Sequence, residues 1–316
     1  MRLLLVSSSV FHPRNRHQGR YDFAQLIKVS PELARFMITN PYGKVSIDFA
    51  NPQAVLAFNR ALLKALYQLQ FWQIPEGYLC PPVPGRADYV HAVADILAAD
   101  GVELSSPQPQ LKLLDVGTGA NCIYPLLAHL DYGWQVVGTD IDPIALKSAS
   151  KNVQKNNLYQ HIEFRLQKES KACFSHIIQA NERFVMTMCN PPFHSNAQEA
   201  ASGSKRKWSN LGKLDPQRKL PTLNFGGKNN ELWCVGGEVA FVRRMIKDSK
   251  AFANQVLWFS CLLSKQDNVR QAKRALMDVH ASEVKVVTMA QGQKQSRFIA
   301  WSFMDAQQRK LWLSQL

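Results

Sequence analysis

The chain has 316 residues, of which 46% are hydrophobic, and carries a formal charge of +14 from 38 basic and 24 acidic side chains. That length supports a sizeable core, in one large domain or a main domain with an appendage, and the composition excludes collagen-like, heptad and solenoid architectures. The basic balance suits a phosphate-rich partner or plain solubility. The six cysteines have neither a CxxC nor a paired spacing, which argues against a zinc site and a disulfide framework, so reduced thiols, a cytoplasmic setting and no metal are expected.

In chain order, "LLLVSSSV" after Arg2 is too short and serine-rich to span a membrane and makes a weak secretory core; a start-site extension or a short strand fits it. The stretch Phe11–Phe23 ("FHPRNRHQGRYDF") gathers Arg14, Arg16 and Arg20 with His12 and His17 against one acid, Asp22. Its proline and glycine predict an extended arm rather than a helix, and taken alone such a run is a solvated tail. In "NPQAVLAFNRALLKALYQLQFW", Asn51 is a helix cap and Pro52 the first helical position, ahead of apolar residues at helical spacing. "CPPVPGRADYVHAVADIL" predicts a rigid proline turn and a second helix beginning near Arg86. Residues 1–105 are thus expected to form a mainly helical cap, closed by the linker "SSPQPQ", with 106–316 as a separate α/β unit.

From Leu111 the pattern alternates. Strands are predicted at "LKLLDV", "GWQVVGTD", "IEFRL", "RFVMTMCN" and "QVLWFSCLLS". Helices are predicted at "DPIALKSASKNVQKNN", with Asp142 as cap, at "GGEVAFVRRMIKDSKAFA" and at "NVRQAKRALMDV". "SEVKVVTM" and "SRFIAWSF" close as a hairpin-like pair. Alternation of this kind implies right-handed crossovers and a mostly parallel sheet covered on both faces, the final hairpin adding one antiparallel strand.

The candidate chemistry falls at the carboxyl ends of these strands, where open α/β sheets bind ligands. In "DVGTGAN", Gly117 and Gly119 permit a tight turn and close approach of backbone to a ligand. Asp140, about twenty residues on, can accept both hydroxyls of a ribose. The dinucleotide fingerprint needs a third glycine where Cys122 stands, so a pyrophosphate cofactor and a dehydrogenase are disfavoured. Asp115 suits a ligand with a cationic amino group. A sulfonium nucleoside, S-adenosyl-L-methionine, fits both points.

"MCNPPFH" follows the fourth strand of the series. Two adjacent prolines end the strand rigidly and present an amide, a ring and an imidazole. An exocyclic amine on a base needs no strong base to attack a sulfonium methyl; it needs its hydrogens held. The Asn190 side-chain oxygen can accept one N–H, and a backbone carbonyl fixed by Pro191 and Pro192 the other. Phe193 offers a face on which an unstacked base can rest, and His194 is expected to cap the loop. The segment Ala201–Lys228 carries Lys205, Arg206, Lys207, Lys213, Arg218, Lys219 and Lys228 against one acid, Asp215. Lying just after "NPPF", it is expected at the rim of the pocket, where positive charge beside Trp208 suits a polyphosphate.

The stretches "HPRNRH", "DFANPQAV", "CPPVPGRADYVH", "DVGTGANCIYPL", "RLQKES", "CNPPFH", "LNFGG", "ELWCVGGEV" and "MAQGQKQSRFIAWSF" together resemble the RlmF family of bacterial large-subunit (23S) ribosomal RNA adenine N6-methyltransferases. They are more distantly similar to the eukaryotic enzyme that methylates an adenine of a spliceosomal small nuclear RNA. "NPPF" alone recurs across amine methyltransferases; "HPRNRH" combined with "PPVPGRADY" is far more discriminating. The resemblance covers nearly the whole chain except the first ten residues. It implies a class I S-adenosylmethionine-dependent methyltransferase fold, Rossmann-like, acting on 23S rRNA or a large-subunit assembly intermediate, with no membrane and no obligate protein partner. It implies that Gly117 and its neighbours cradle the methionine part, that Asp140 holds the ribose and that Asn190–Phe193 hold the adenine. It also implies that Arg86 reaches from the cap towards the cofactor, and that Arg14 and Arg16 belong to an RNA-binding arm. A guanine N2 rRNA methyltransferase shares "NPPFH"; a protein glutamine methyltransferase gives little reason for the basic arm and segment. A non-catalytic RNA-binding assembly factor would have no need of Asp115, Gly117, Gly119, Asp140 and Asn190 together.

Overall fold

The computed structural model describes residues 11–40, 42–196, 229–291 and 294–316. The first ten residues and the basic segment 201–228, with Lys205, Arg206 and Lys207, lie outside the described residues.

The chain enters through residues 11–22 into α1 (Phe23–Val29), capped by the Asp22 side chain, which accepts from the Gln25 N–H. A 3-10 turn at Pro31–Phe36 leads to a small antiparallel pair, β1 (Met37–Thr39) and β2 (Val45–Ile47). Helix α2 (Pro52–Tyr67) starts where the sequence places it: the Asn51 oxygen accepts from the N–H groups of Gln53 and Ala54 and Pro52 fills the first helical position, a cap of about 1 kcal/mol. Helix α3 (Val83–Ala99) begins three residues earlier than expected, because Pro84 fits a first turn as well as a preceding one.

Seven strands form one sheet: β3 (Lys112–Val116), β4 (Gln135–Asp140), β5 (Ile162–Leu166), β6 (Phe184–Cys189), β7 (Val256–Leu263), β8 (Glu283–Gln291) and β9 (Lys294–Ser302). Their order is β5-β4-β3-β6-β7-β9-β8, with β9 running antiparallel to β7 and β8 and every other pair parallel. The crossovers carry α4 (Ile123–Tyr132), α5 (Pro143–Lys155), α6 (Asn229–Leu232), α7 (Gly237–Ser249) and α8 (Gln266–Asp278), and α9 (Ala306–Leu313) closes the chain. The chain winds outward from β3 through β4 to β5, then restarts at β6 on the other side of β3. The switch point therefore lies between β3 and β6, where Val116 pairs with Cys189.

Because side chains alternate across a strand, neighbouring residues feed opposite layers. Leu113, Met188, Trp258 and Phe298 join one hydrophobic cluster with α3 and α4, whereas Leu114, Cys189, Phe259 and Ile299 join another with α7 and α8. Strand β7 is buried at every position, as a central strand covered on both faces must be. Residues of α2 and α3 share the first cluster with the sheet, so the chain boundary near 105 is not a gap in packing. Polar ties cross the same boundary: the Trp258 indole N–H and the Arg309 guanidinium both donate to Asp100 (2.6 and 2.8 Å), and Tyr89 Oη lies 2.8 Å from Ser260 Oγ.

Residues 11–22 are extended, as expected, but they are not a solvated tail. Asn15 and His17 are buried, and Asn15 donates to Pro84 O and Asp88 Oδ1. Arg14 donates to Asp95 (2.6 Å), to the His91 carbonyl and to Tyr132 Oη. Arg16 reaches the carbonyls of Leu66 and Leu130, pairs with Asp131 at 2.8 Å and covers the Tyr67 ring at 4.7 Å. Burial drives the His17 imidazole down to about 4 and His91 to about 3, so both rings pack neutral, and pushes the Asp131 carboxyl up to about 6 against the pull of Arg16.

Candidate functional site

At the switch point the carboxyl ends of β3, β4 and β6 open into a cavity of about 520 Å³, walled on the far side by Tyr78, Leu79, Pro81 and Arg86 of the cap and by α6 and α7.

Its floor is the turn after β3. Gly117 and Gly119 take φ of +75° and +65°, a region that costs other residues about 1 kcal/mol or more. A Cβ on Gly117 would meet nothing within 4 Å, so the bare backbone faces open space that a ligand can fill. The turn is fixed by the N–H groups of Gly117 and Thr118, which both donate to the Thr139 carbonyl at 2.8 Å. Asp140 closes β4 and lines the cavity. Its two oxygens accept from the N–H groups of Gly119 and Asp142, each at 2.9 Å. Burial raises its carboxyl above the usual range while these backbone donors oppose the rise. Next to it Asp142 caps α5 and accepts from Tyr78 Oη at 2.7 Å.

Asp115 does not reach the cavity wall. It is fully buried beneath the turn, and burial pushes its carboxyl up to about 7, with the Thr118 hydroxyl opposing, the Asp140 charge adding and Arg86 opposing. The expectation of a direct contact to a ligand amine is therefore corrected: Asp115 is not among the residues that line the cavity. The physical reason is its place in the chain: Asp115 is still paired within the sheet, opposite Gly138 and Met188, whereas Val116 and Gly117 stand at the open end.

On the other side of the switch point, Asn190 and Pro192 line the cavity. The Asn190 side-chain oxygen is buried without a donor, an acceptor that a bound N–H would satisfy. Pro191 is buried and Phe193 is half-buried, and neither lines the cavity; the aromatic lining comes from Tyr78, Tyr124, Trp233 and Phe241. His194 holds the loop through its backbone: its N–H donates to Leu232 O and its carbonyl accepts from Cys234 N–H, each at 3.0 Å. Arg86 donates from Nη1 to Tyr124 Oη at 2.7 Å and its guanidinium lies 5.5 Å from that ring; it lines the cavity. Arg14 and Arg16 are absent from this wall, being committed to the carboxylates and carbonyls described above.

Sequence reasoning missed several lining residues, notably Glu231 and Trp233 of "ELWCVGGEV" and Gln167 and Ser170 of "RLQKES". Their only sequence signal was membership of stretches shared with a family; no spacing rule brings them to the switch point. The five buried cysteines and half-buried Cys234 are all free, and burial raises the thiols of Cys122 and Cys189, so neither is a nucleophile. Among the described residues no helix is long and apolar enough to cross a membrane.

The donor set fits a nucleoside carrying an amino-acid tail: a carboxylate for a ribose, a bare glycine turn for close approach and an arginine for a carboxylate. Comparison with known proteins agrees. A family model described as RNA methyltransferase matches residues 5–305. Ribosomal RNA large subunit methyltransferase F of Pseudomonas putida (strain W619) is 56% identical over 308 residues, covering 98% of each chain. The protein of the same name from Pseudomonas aeruginosa (strain LESB58) is 57% identical over 307 residues, covering 97% of this chain and 91% of the relative. Among solved structures, the hMettl16 catalytic domain in complex with MAT2A 3′UTR hairpin 6 superposes with a TM-score of 0.77 at 32% identity, covering 94% of this chain and 98% of that one. The N-terminal domain of human METTL16 in complex with SAH gives 0.73 at 30% identity, covering 93% and 99%.

Proposed function

The chain belongs to the RNA methyltransferase family of ribosomal RNA large subunit methyltransferase F, and from that membership we propose that it methylates the N6 amine of one adenine in 23S rRNA, using S-adenosyl-L-methionine. The observation that carries this reading is the meeting, across the β3–β6 switch point, of a bare glycine turn with an unsatisfied asparagine oxygen in one cavity.

S-adenosylmethionine, when bound, supplies an electrophilic methyl group. Asp140 and the Gly117–Gly119 turn hold the ribose and the methionine part, and Arg86, fixed by Tyr124, takes the carboxylate. Asn190 accepts one hydrogen of the adenine N6 amine and the carbonyl held between Pro191 and Pro192 accepts the other, which turns the nitrogen lone pair towards the methyl group. Once N6 is methylated it carries an extra proton, which leaves to solvent or along this acceptor pair. Phe193, one residue beyond the wall, is the proposed stacking face for the base, which must leave its helix to reach the cavity. The basic segment with Lys205, Arg206 and Lys207, and the arm with Arg14 and Arg16, are the proposed RNA contacts. The substrate is 23S rRNA, free or in a large-subunit precursor, and the free thiols suit the cytoplasm.

Asn190→Ala tests the clamp. It is expected to retain cofactor and RNA affinity while the single-turnover methylation rate falls about 10²- to 10³-fold, as when one preorganised polar contact is lost. An unchanged single-turnover rate overturns the clamp.

A further inference from the structure

A second cavity, of about 300 Å³, lies between residues 73–75 of the cap and α5, lined by Gln73, Ile74, Pro75, Ile144, Lys147 and Lys151 with two further polar residues of the helix. Its wall is built by two asparagines one helical turn apart. Asn152, fully buried, accepts from the Gln73 N–H at 2.8 Å and donates to the Gln73 carbonyl at 2.9 Å. Asn156 accepts from the Gln70 N–H at 2.8 Å and donates to the Phe71 carbonyl at 2.6 Å. These bonds lay the chain from Gln70 to Gln73 along α5 before any ligand arrives. Ile74 packs on Tyr78 and Ala145, and those two residues also line the catalytic cavity, so a single ridge divides the two cavities.

The second cavity is apolar towards that ridge and cationic along the helix. Ile144 is 54% exposed at its mouth. Lys147 and Lys151 line it, and Lys155 extends the same exposed helix face. Lys151 Nζ lies 5.4 Å from the Phe71 ring. No acid stands in Pro143–Lys155, and among the described residues none of the three lysines is ion-paired. Like charges four residues apart disfavour a helix, and a polyanion lying along the face turns that repulsion into attraction.

We propose that this groove is a second RNA subsite, which holds a nucleotide of the substrate strand beside the flipped adenine. Its phosphates lie on Lys147 and Lys151, and its sugar and base lie against Ile74, Pro75 and Ile144. The subsite deepens the RNA-methylation reading and rests on it. A base that leaves its helix drags its neighbours with it, and a pre-formed groove one ridge away holds the strand with little further ordering.

The test is filter binding of 23S rRNA to the full chain across salt concentrations, with calorimetric titration of S-adenosylhomocysteine beside it. Lys147→Ala/Lys151→Ala is expected to weaken RNA about tenfold at physiological salt and to lower the slope of log affinity against log salt by about 1.4–1.8, the share of two phosphates. Its S-adenosylhomocysteine affinity should stay as in the parent. Lys273→Ala/Lys310→Ala removes the same charge from α8 and α9 and should leave RNA binding nearly unaltered. Ile144→Ala should weaken RNA without changing the salt slope, as an apolar contact does. Equal losses in the two double variants overturn the subsite, because net charge alone would then account for binding. An unaltered slope in Lys147→Ala/Lys151→Ala overturns it too, and so does a matching loss of S-adenosylhomocysteine affinity, which would give the groove to the cofactor. Failure of the parent protein to bind 23S rRNA would instead remove the RNA reading itself, whatever the variants do.

Discussion

Asp115→Asn isolates the electrostatic cost built into the floor of the site. The carboxyl is fully buried, and burial lifts it from an ordinary 3.8 to about 7 against the pull of the Thr118 hydroxyl. Across that interval the folded chain keeps a proton that the unfolded chain has released, so stability falls as pH rises from about 4 to 7 and levels off above. The slope approaches about 1.4 kcal/mol per pH unit, and the whole interval amounts to about 4 kcal/mol at most. Asparagine cannot ionise. Its amide shifts the curve by a pH-independent amount but removes this slope. Urea unfolding of parent and variant from pH 5 to 8 is the assay, and the difference in stability should move in the variant's favour by about 3 kcal/mol over that range. Asp131, raised to about 6, titrates in both proteins and cancels in the comparison. Parallel curves would show that Asp115 is ionised in the folded chain throughout, and would refute the argument that it is held protonated by burial.

Three other outcomes follow from the structure. Arg16→Ala strands the Asp131 carboxylate, which is 5% exposed. Discounted for the exposure of Arg16 itself, the loss is about 1–2 kcal/mol in chemical unfolding, and Asp131→Asn in the same background should recover part of it. Gly117→Ala puts a methyl into open cavity at a φ of +75°; S-adenosylhomocysteine affinity should fall at least tenfold by titration, with unfolding changed by about 1 kcal/mol. Replacing Lys205, Arg206 and Lys207 together by alanine should weaken RNA binding and lower the slope of log affinity against log salt by about 2, read by filter binding across salt concentrations; an unaltered slope removes that segment from the RNA interface.

The fold was legible where local chemistry and tertiary context agree. Asn51 and Asp142 cap helices because their side chains satisfy orphan N–H groups whatever surrounds them, and β7 is apolar throughout because both its faces are covered. The glycine turn, Asp140, Asn190 and Pro192 were legible for a similar reason: all end strands, and parallel strands end on one side. Burial was not legible. Nothing in "LDVGTG" says that Asp115 lies beneath the turn. Nothing in "HPRNRH" says that Arg14 and Arg16 meet Asp95 and Asp131, since those partners stand more than seventy residues away in the chain. α6 was invisible because four residues carry no helical period, and with it Glu231 and Trp233. α1, α4 and α9 went unpredicted because short helices packed on neighbours need no strong amphipathic pattern.

The central claim is the identity of the methylated atom. The purified protein would be incubated with unmodified 23S rRNA and S-adenosylmethionine labelled in its methyl group, and the RNA digested to nucleosides for mass spectrometry. The account predicts label in N6-methyladenosine, at about one methyl per 23S rRNA if a single adenine is clamped. Label in N2-methylguanosine would keep the amine chemistry and contradict the adenine assignment. An unlabelled RNA, from protein that binds S-adenosylhomocysteine, would contradict the rRNA substrate altogether.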